Sequence, residues 1–279
     1  MTRKHTILTA AVCAGVVLGV TGCGDGNGDG QKSGGGSGST VKEQDRQKSG
    51  PGDTESSSAG RKAPSGVEGL PARDILAKGT EAITSASTLR VSTADSSTSS
   101  IDLTMDKTGN CAGTVTTEGF TSRLIRKGDK VWFKPEDAYW NDPAVKGVLT
   151  KFPEARGKYM HGTAEKSFSL ALVSAYCELG SADGFAKLSG DGQKLTKGAV
   201  TTVEGVKAVP VHIDSAKDGK WTAYVATEGR PYIVKADSRK AKMTLLLSDF
   251  GKPFTVPPSP PAGETIDAIK IEEASMTTG

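Results

Sequence analysis

The sequence predicts an α+β fold, an antiparallel sheet of nine to ten strands led by one amphipathic helix and interrupted midway by a helical insertion. Three observations carry this. Apolar residues recur at helical spacing from Ile75 to Ile83. Two blocks of period-two alternation, residues 89–134 and 200–249, are punctuated by tight turns. Between them the alternation fails, and near the end of that stretch the spacing returns to three and four residues.

The chain starts with Met1, Arg3, Lys4 and His5, followed by an apolar run from Ile7 to Val20. At about fourteen residues this run is too short for a spanning helix, which needs roughly 20, and it matches a secretory signal. It ends in Val20-Thr21-Gly22-Cys23, the pattern of a bacterial lipoprotein box. The expectation is removal of residues 1–22 and transfer of a diacylglyceryl group, with palmitate-type chains, to the thiol of Cys23. The mature protein would then sit at the extracytoplasmic face of the cell membrane, anchored by lipid. An ordinary secretory signal with an incidental cysteine is the alternative reading.

From Gly24 to Gly66 the only apolar side chains are Val41, Ala59 and Ala63, in a background of Gly, Ser, Lys, Asp and Gln. Such a stretch buries too little surface to offset chain entropy. Residues 23–66 therefore read as a tether, spanning about 35 Å on average and about 140 Å taut, and residues 67–274 as one folded domain. The formal net charge of +3 includes Arg3 and Lys4, which leave with the signal. The mature chain is near balance, and no nucleic-acid partner is implied.

Of four cysteines, Cys13 leaves with the signal and Cys23 takes lipid. Cys111 and Cys177 remain in an oxidising setting where a disulfide is the default. A metal site, lacking companion ligands, and two separate buried thiols are the alternatives.

Within the domain, Asp74 stands where a helix cap would, and Ile75, Leu76, Gly79, Ala82 and Ile83 form one face of a helix of three to four turns. Gly79 counts against that helix by about 1 kcal/mol relative to alanine. Leu89, Val91 and Thr93 alternate with polar neighbours, as do Ile101, Leu103 and Met105, and Lys107-Thr108-Gly109-Asn110 turns into Cys111 to Thr117. Phe120 to Lys127 and Lys130 to Lys134 pair across Gly128-Asp129, a hairpin turn. Ala144 to Phe152 reads as a short helix. Phe168, Leu172, Ala175, Tyr176 and Leu179 then place a second helix over Ala164 to Leu179, carrying Cys177. Strands follow at Val200 to Val203, Lys207 to Ile213, Lys220 to Ala226, Pro231 to Ala236 and Lys242 to Asp249, with Asp218-Gly219 and Glu228-Gly229 among the turns. Pro257-Pro258-Ser259-Pro260-Pro261 is an extended segment, and Ile266, Ile269 and Ile271 suggest a last edge strand. All seven Phe, three Trp and five Tyr residues lie between Phe120 and Phe254, and strands of this kind curl into a barrel or half-barrel.

Lys220-Trp221 opening a strand, Gly229-Arg230-Pro231 turning into Ile233-Val234-Lys235-Ala236, and Leu245-Leu246-Leu247-Ser248-Asp249-Phe250-Gly251-Lys252-Pro253 before a Pro-rich tail resemble the actinobacterial LppX/LprAFG lipoproteins. Those proteins are similar in fold to the LolA and LolB carriers. The resemblance spans roughly Leu70 to Pro261. It implies a strongly curved antiparallel half-barrel (LolA/LppX-like), with helices on the concave side and an apolar cavity for acyl chains. The Cys111 and Cys177 pair lies outside that pattern.

Catalytic motifs are fragmentary. After processing, His161 and His212 are the only histidines, and neither lies in a ligand cluster. Ser39-Thr40-Val41-Lys42 and Lys107-Thr108-Gly109 echo pieces of the penicillin-binding signature, but the first lies in the tether and the second in a turn. Asp25 to Gly30 copies half of a calcium loop, with Gly36 where a bidentate glutamate belongs. No enzyme, cofactor or metal is expected. The inward-facing set is Leu103, Leu124, Val131, Phe133, Val209, Val211, Trp221, Val225, Ile233, Leu245 and Leu247, and alternation does not distinguish a filled core from a cavity. A cavity makes the protein a binder of an apolar or acylated ligand. A filled core makes it a protein-interaction or sensor lipoprotein.

Overall fold

A computed structural model of the chain describes residues 63–93, 99–143, 145, 147–181, 192–217 and 219–276. The expected signal, Cys23, nearly all of the tether and Asp218 lie outside the described residues. The chain divides into two units between Ser56 and Ser57, and all described residues belong to the second.

Backbone pairing fixes the start of the described chain. The Gly229 N–H donates to the Ala63 carbonyl at 2.6 Å and the Ser65 N–H to the Thr227 carbonyl at 2.7 Å. Helix α1 (Ala72–Thr84) buries Ile75, Leu76, Gly79, Ala82 and Ile83, the face its spacing predicts. Asp74 is not its cap. The helix starts two residues earlier, behind Pro71 and without a side-chain cap, which leaves Asp74 in the first turn where its charge complements the helix dipole.

Among the described residues thirteen strands follow in one sheet: β1 (Thr88–Thr93), β2 (Ser99–Asp106), β3 (Cys111–Thr117), β4 (Phe120–Lys127), β5 (Lys130–Pro135), β6 (Tyr159–Thr163), β7 (Lys194–Lys197), β8 (Thr201–Val203), β9 (Val206–Ser215), β10 (Gly219–Ala226), β11 (Ile233–Ser238), β12 (Met243–Ser248) and β13 (Thr265–Asp267). Their order is β13-β6-β5-β4-β3-β2-β1-β12-β11-β10-β9-β7, with β8 also on β9. The sheet is curved and open. Its pairs are antiparallel except β13 with β6, which is parallel.

Two strands escape the sequence pattern. β6 and β7 are only five and four residues long, and β7, Lys-Leu-Thr-Lys, has a single apolar residue, so pairing rather than periodicity makes it a strand. The insertion also departs from expectation. In place of one helix from Ala164, the chain runs through β6, a turn, α3 (Phe168–Ser174) and a 3₁₀ turn at Ala175–Glu178 that carries Cys177. Ser167 stops the helix upstream, its hydroxyl accepting from the Leu170 N–H at 3.2 Å. The buried side of this element is Leu170, Ser174 and Cys177, not the expected stripe. Phe168 and Leu172 are 75% and 52% exposed. Both stripes have helical spacing, so the period alone does not choose between them.

The insertion also contains α2 (Val148–Lys151), shorter than its expected span. The C-terminal edge strand is likewise cut short. Only Ile266 lies in β13; Asp267 accepts from the Ile269 N–H at 2.9 Å and starts α4 (Ala268–Met276), on which Ile271 is buried. Between β12 and β13 the Pro-rich segment carries Phe254 onto a second, small apolar cluster of Ala112, Ile125, Trp132 and Tyr159. That cluster lies on the sheet face opposite the main core.

Candidate functional site: the concave face and its rim

Cross-strand register builds the concave face. Met160, Phe133, Leu124, Gly113, Leu103, Val91 and Leu247 are successive partners from β6 to β12. Leu245, Ala236, Ala223 and Val211 form a second row from β12 to β9. Paired residues share a face, so each row presents one apolar line. Gly113 interrupts the first. A Cβ there would lie 2.0 Å from the Asp102 carbonyl oxygen, and its φ of 152° is one that side-chain-bearing residues rarely adopt. A strand glycine with this close backbone approach is a device for bending a sheet.

All eleven residues of the inward-facing set belong to the main apolar cluster. Nine are buried; Phe133 and Trp221 are half-buried. The same cluster takes in Ile75, Leu76 and Ile83 of α1, Leu170 of α3, Ile271 of α4, and Trp140 and Val148 of the insertion. Gly79 lets α1 sit directly on the sheet. A Cβ at that position would lie 2.9 Å from Ile233 Cγ1 and 3.2 Å from Val225 Cγ2.

At one rim of this core lies a partly open cleft of about 320 Å³ between the C-terminal end of α1, the β2–β3 turn and the 3₁₀ turn after α3. Ile83, Leu89, Met105 and Cys177 line it and belong also to the main cluster. Asp106, Lys107, Asn110, Arg126 and Glu178 supply polar groups to the same cleft. Arg126 pairs with Glu178, and its Nε–H donates to the Gly128 carbonyl at 3.0 Å. Burial raises the Asp106 carboxyl, but hydrogen bonds from Thr108 and Asn110 outweigh it and leave the group below the ordinary carboxylate value. The Cys111–Cys177 disulfide borders this cleft and ties the 3₁₀ turn to the start of β3 across 66 residues of sequence. A second cleft of about 290 Å³ involves Lys194, His212, Asp214, Lys220, Trp221 and Arg239.

None of the eleven predicted residues lines the first cleft, and Trp221 alone lines the second. Sequence reasoning missed the rim because its parts come from a helix end, a hairpin turn and a 3₁₀ turn. It missed Trp140 too, whose ring is 1% exposed although its segment reads as turn. Among the described residues no group of three or more His, Cys, Asp or Glu side chains is placed to hold a metal, and no helix is long and apolar enough to cross a membrane. His212 Nδ1 lies 3.1 Å from Thr222 Oγ1, and His161 sits apart on β6.

Solved structures similar to this chain include the following three. LprF from Mycobacterium bovis is 16% identical with a TM-score of 0.44, over 70% of this chain and 98% of that one. The Mycobacterium tuberculosis lipoprotein LppX is 13% identical with a TM-score of 0.42, over 66% and 97%. A LolA superfamily protein from Nitrosomonas europaea is 12% identical with a TM-score of 0.23, over 67% and 96%. LprF and LppX are of the group that the sequence motifs resemble. No family model and no curated protein sequence matches it.

Proposed function

We propose that this protein is a lipid-anchored, non-catalytic lipoprotein of the cell envelope that binds an apolar or acylated ligand against the concave face of its sheet. The observation that carries the reading is the rim cleft, whose apolar lining is the edge of the core and whose remaining lining is polar. That distribution suits an amphiphile, with chains against Ile83, Leu89 and Met105 and a polar group beside Asn110 and Arg126. Its volume lies at the lower end of the range for small-molecule sites, about 300 to 1,000 Å³. Each methylene moved from water to such a surface contributes about 0.8 kcal/mol. The lipoprotein box ending at Cys23 supports the anchor. Native mass spectrometry of the full chain purified without detergent tests the binding. Lipid-sized adducts are expected, and a clean unliganded mass with no uptake of added lipid overturns it. Labelled palmitate should enter the wild-type chain and not Cys23→Ser.

A second reading, docking of a protein partner, is favoured by one observation, the exposed Phe168 and Leu172 four residues apart on α3. Phe168→Glu with Leu172→Glu would then abolish a cross-linked complex while leaving lipid adducts intact.

A further inference from the structure

The charged lining of the second cleft lies on the convex face of the sheet. On β9, His212 and Asp214 are exposed and alternate with Val211, Ile213 and Ser215, which are buried. Register sets the charges of the cleft in one row. Lys194 on β7 partners Asp214 on β9, and Asp214 partners Lys220 on β10. Arg239 follows Ser238, the partner of Trp221, and its N–H donates to the Lys220 carbonyl at 3.2 Å, so it continues the same row. Neighbouring strands stand about 4.8 Å apart, which gathers these four groups within about 15 Å. The next row, Thr196, His212 and Thr222, adds neutral donors. Two other cations of the convex face are matched: Arg90 pairs with Asp102 at 2.6 Å and Lys235 with Asp237 at 3.2 Å. In the cleft, Lys220 and Asp214 are 3.7 Å apart, and among the described residues Lys194 and Arg239 form no ion pair.

We propose that this cleft is a site for a phosphomonoester group, separate from the rim cleft and independent of the apolar-ligand reading. Its lining holds three cations, Lys194, Lys220 and Arg239, and one carboxylate, Asp214, a surplus of two positive charges with His212 neutral. Lys220 offsets the Asp214 beside it, so the surplus belongs to Lys194 and Arg239. A phosphomonoester carries a charge of about −1.5 to −2 at pH 7 and matches that surplus. A phosphodiester or a carboxylate carries only one negative charge and leaves part of it unmet. The arginine fork suits two oxygens of one phosphoryl group, and lysine engages it as a point charge. At about 290 Å³ the cleft has room for the group and for the carbons that carry it. Two sources share this chemistry, a soluble phosphorylated compound and the headgroup of a lipid such as phosphatidic acid.

The test reads protection of each lysine of the full chain from a water-soluble acetylating reagent, by mass spectrometry at low ionic strength, because salt screens exposed charges. The probes are glycerol 1-phosphate, its diester counterpart dimethyl phosphate at equal ionic strength, and phosphatidylcholine vesicles with and without phosphatidic acid. The monoester should protect Lys194 and Lys220 and spare Lys127 and Lys130, a basic pair across the β4–β5 hairpin and outside the cleft. The diester should need about fivefold more for the same protection, the effect of one charge at contact distance in water. Arg239 is exposed, so its replacement leaves the fold intact. Arg239→Gln should raise the half-protecting concentration about fivefold, and Arg239→Lys should restore most of it. Protection by glycerol 1-phosphate assigns a soluble compound, and protection only by vesicles that contain phosphatidic acid assigns a lipid headgroup; both uphold the site. Equal protection by monoester and diester, equal protection of Lys127 and Lys130, or no protection with any probe overturns it. None of these results touches the lipid adducts expected at the rim cleft, so the two readings fail separately.

Discussion

Gly79→Ala tests how α1 is seated, because two effects of known size oppose each other there. In a helix interior alanine is favoured over glycine by about 1 kcal/mol. Here the new Cβ would stand 2.9 Å from Ile233 Cγ1 and 3.2 Å from Val225 Cγ2. Both neighbours are fully buried and β-branched, so they turn aside poorly, and overpacking of this kind costs about 1–3 kcal/mol. The sum is a destabilisation of up to about 2 kcal/mol. Ile233→Ala alone should lose about 2–5 kcal/mol by creating a cavity. In that background the 2.9 Å contact is gone and the Val225 contact at 3.2 Å remains, so the same Gly79→Ala change should cost clearly less and shift toward a gain of at most about 1 kcal/mol. Urea unfolding of the four chains gives the coupling as a double-mutant cycle. A full 1 kcal/mol stabilisation by Gly79→Ala in the wild-type background would refute the reasoning, since it would mean that the helix does not rest on Ile233.

Other expectations concern the bend, the clamp and the C-terminal helix. Gly113→Ala should lose more than about 3 kcal/mol and much of the soluble protein, because its Cβ meets backbone rather than a movable side chain; near-wild-type thermal stability would contradict this. Replacing Cys111 and Cys177 together by alanine reopens a loop of 66 residues and should lower stability by about 4 kcal/mol on the chain-entropy account, or about 8–16 °C in Tm. A loss under about 2 °C would show the constraint to be redundant. Glu272 accepts at one carboxylate oxygen from the Ser167 hydroxyl (2.6 Å), the Ser169 hydroxyl (2.6 Å) and the Ser169 N–H (2.8 Å), joining α4 to the start of α3. Burial raises its carboxyl, but these hydrogen bonds prevail and hold it below the ordinary 4.5. With the folded value depressed, its stabilisation is present above about pH 4.5 and lost as pH falls through the folded value. The stability gap between wild type and Glu272→Gln, measured by urea unfolding across pH, should therefore narrow below that point and stay constant above it.

The sequence by itself determined the strands that alternate, the face each one buries, and the two cysteines that join. Period-two patterning over Leu103, Leu124, Val131, Val209, Val211, Val225, Ile233, Leu245 and Leu247 is a local property of the chain, and all of these residues are buried in one cluster. β7 was not legible, since a four-residue edge strand with one apolar side chain exists only through its pairing with β9. The side of α3 that faces inward was not legible either. Phe168 and Leu172 form as good a stripe as Leu170, Ser174 and Cys177, and anchoring at Cys177 and Glu272 accompanies burial of the latter. In the same way the value of Gly79 changes sign between sequence and structure: a defect in a lone helix, it is the residue that lets α1 touch Ile233. The rim cleft and the burial of Trp140 belong wholly to the tertiary structure, because they arise where segments far apart in sequence meet, and no local pattern encodes which segments those will be.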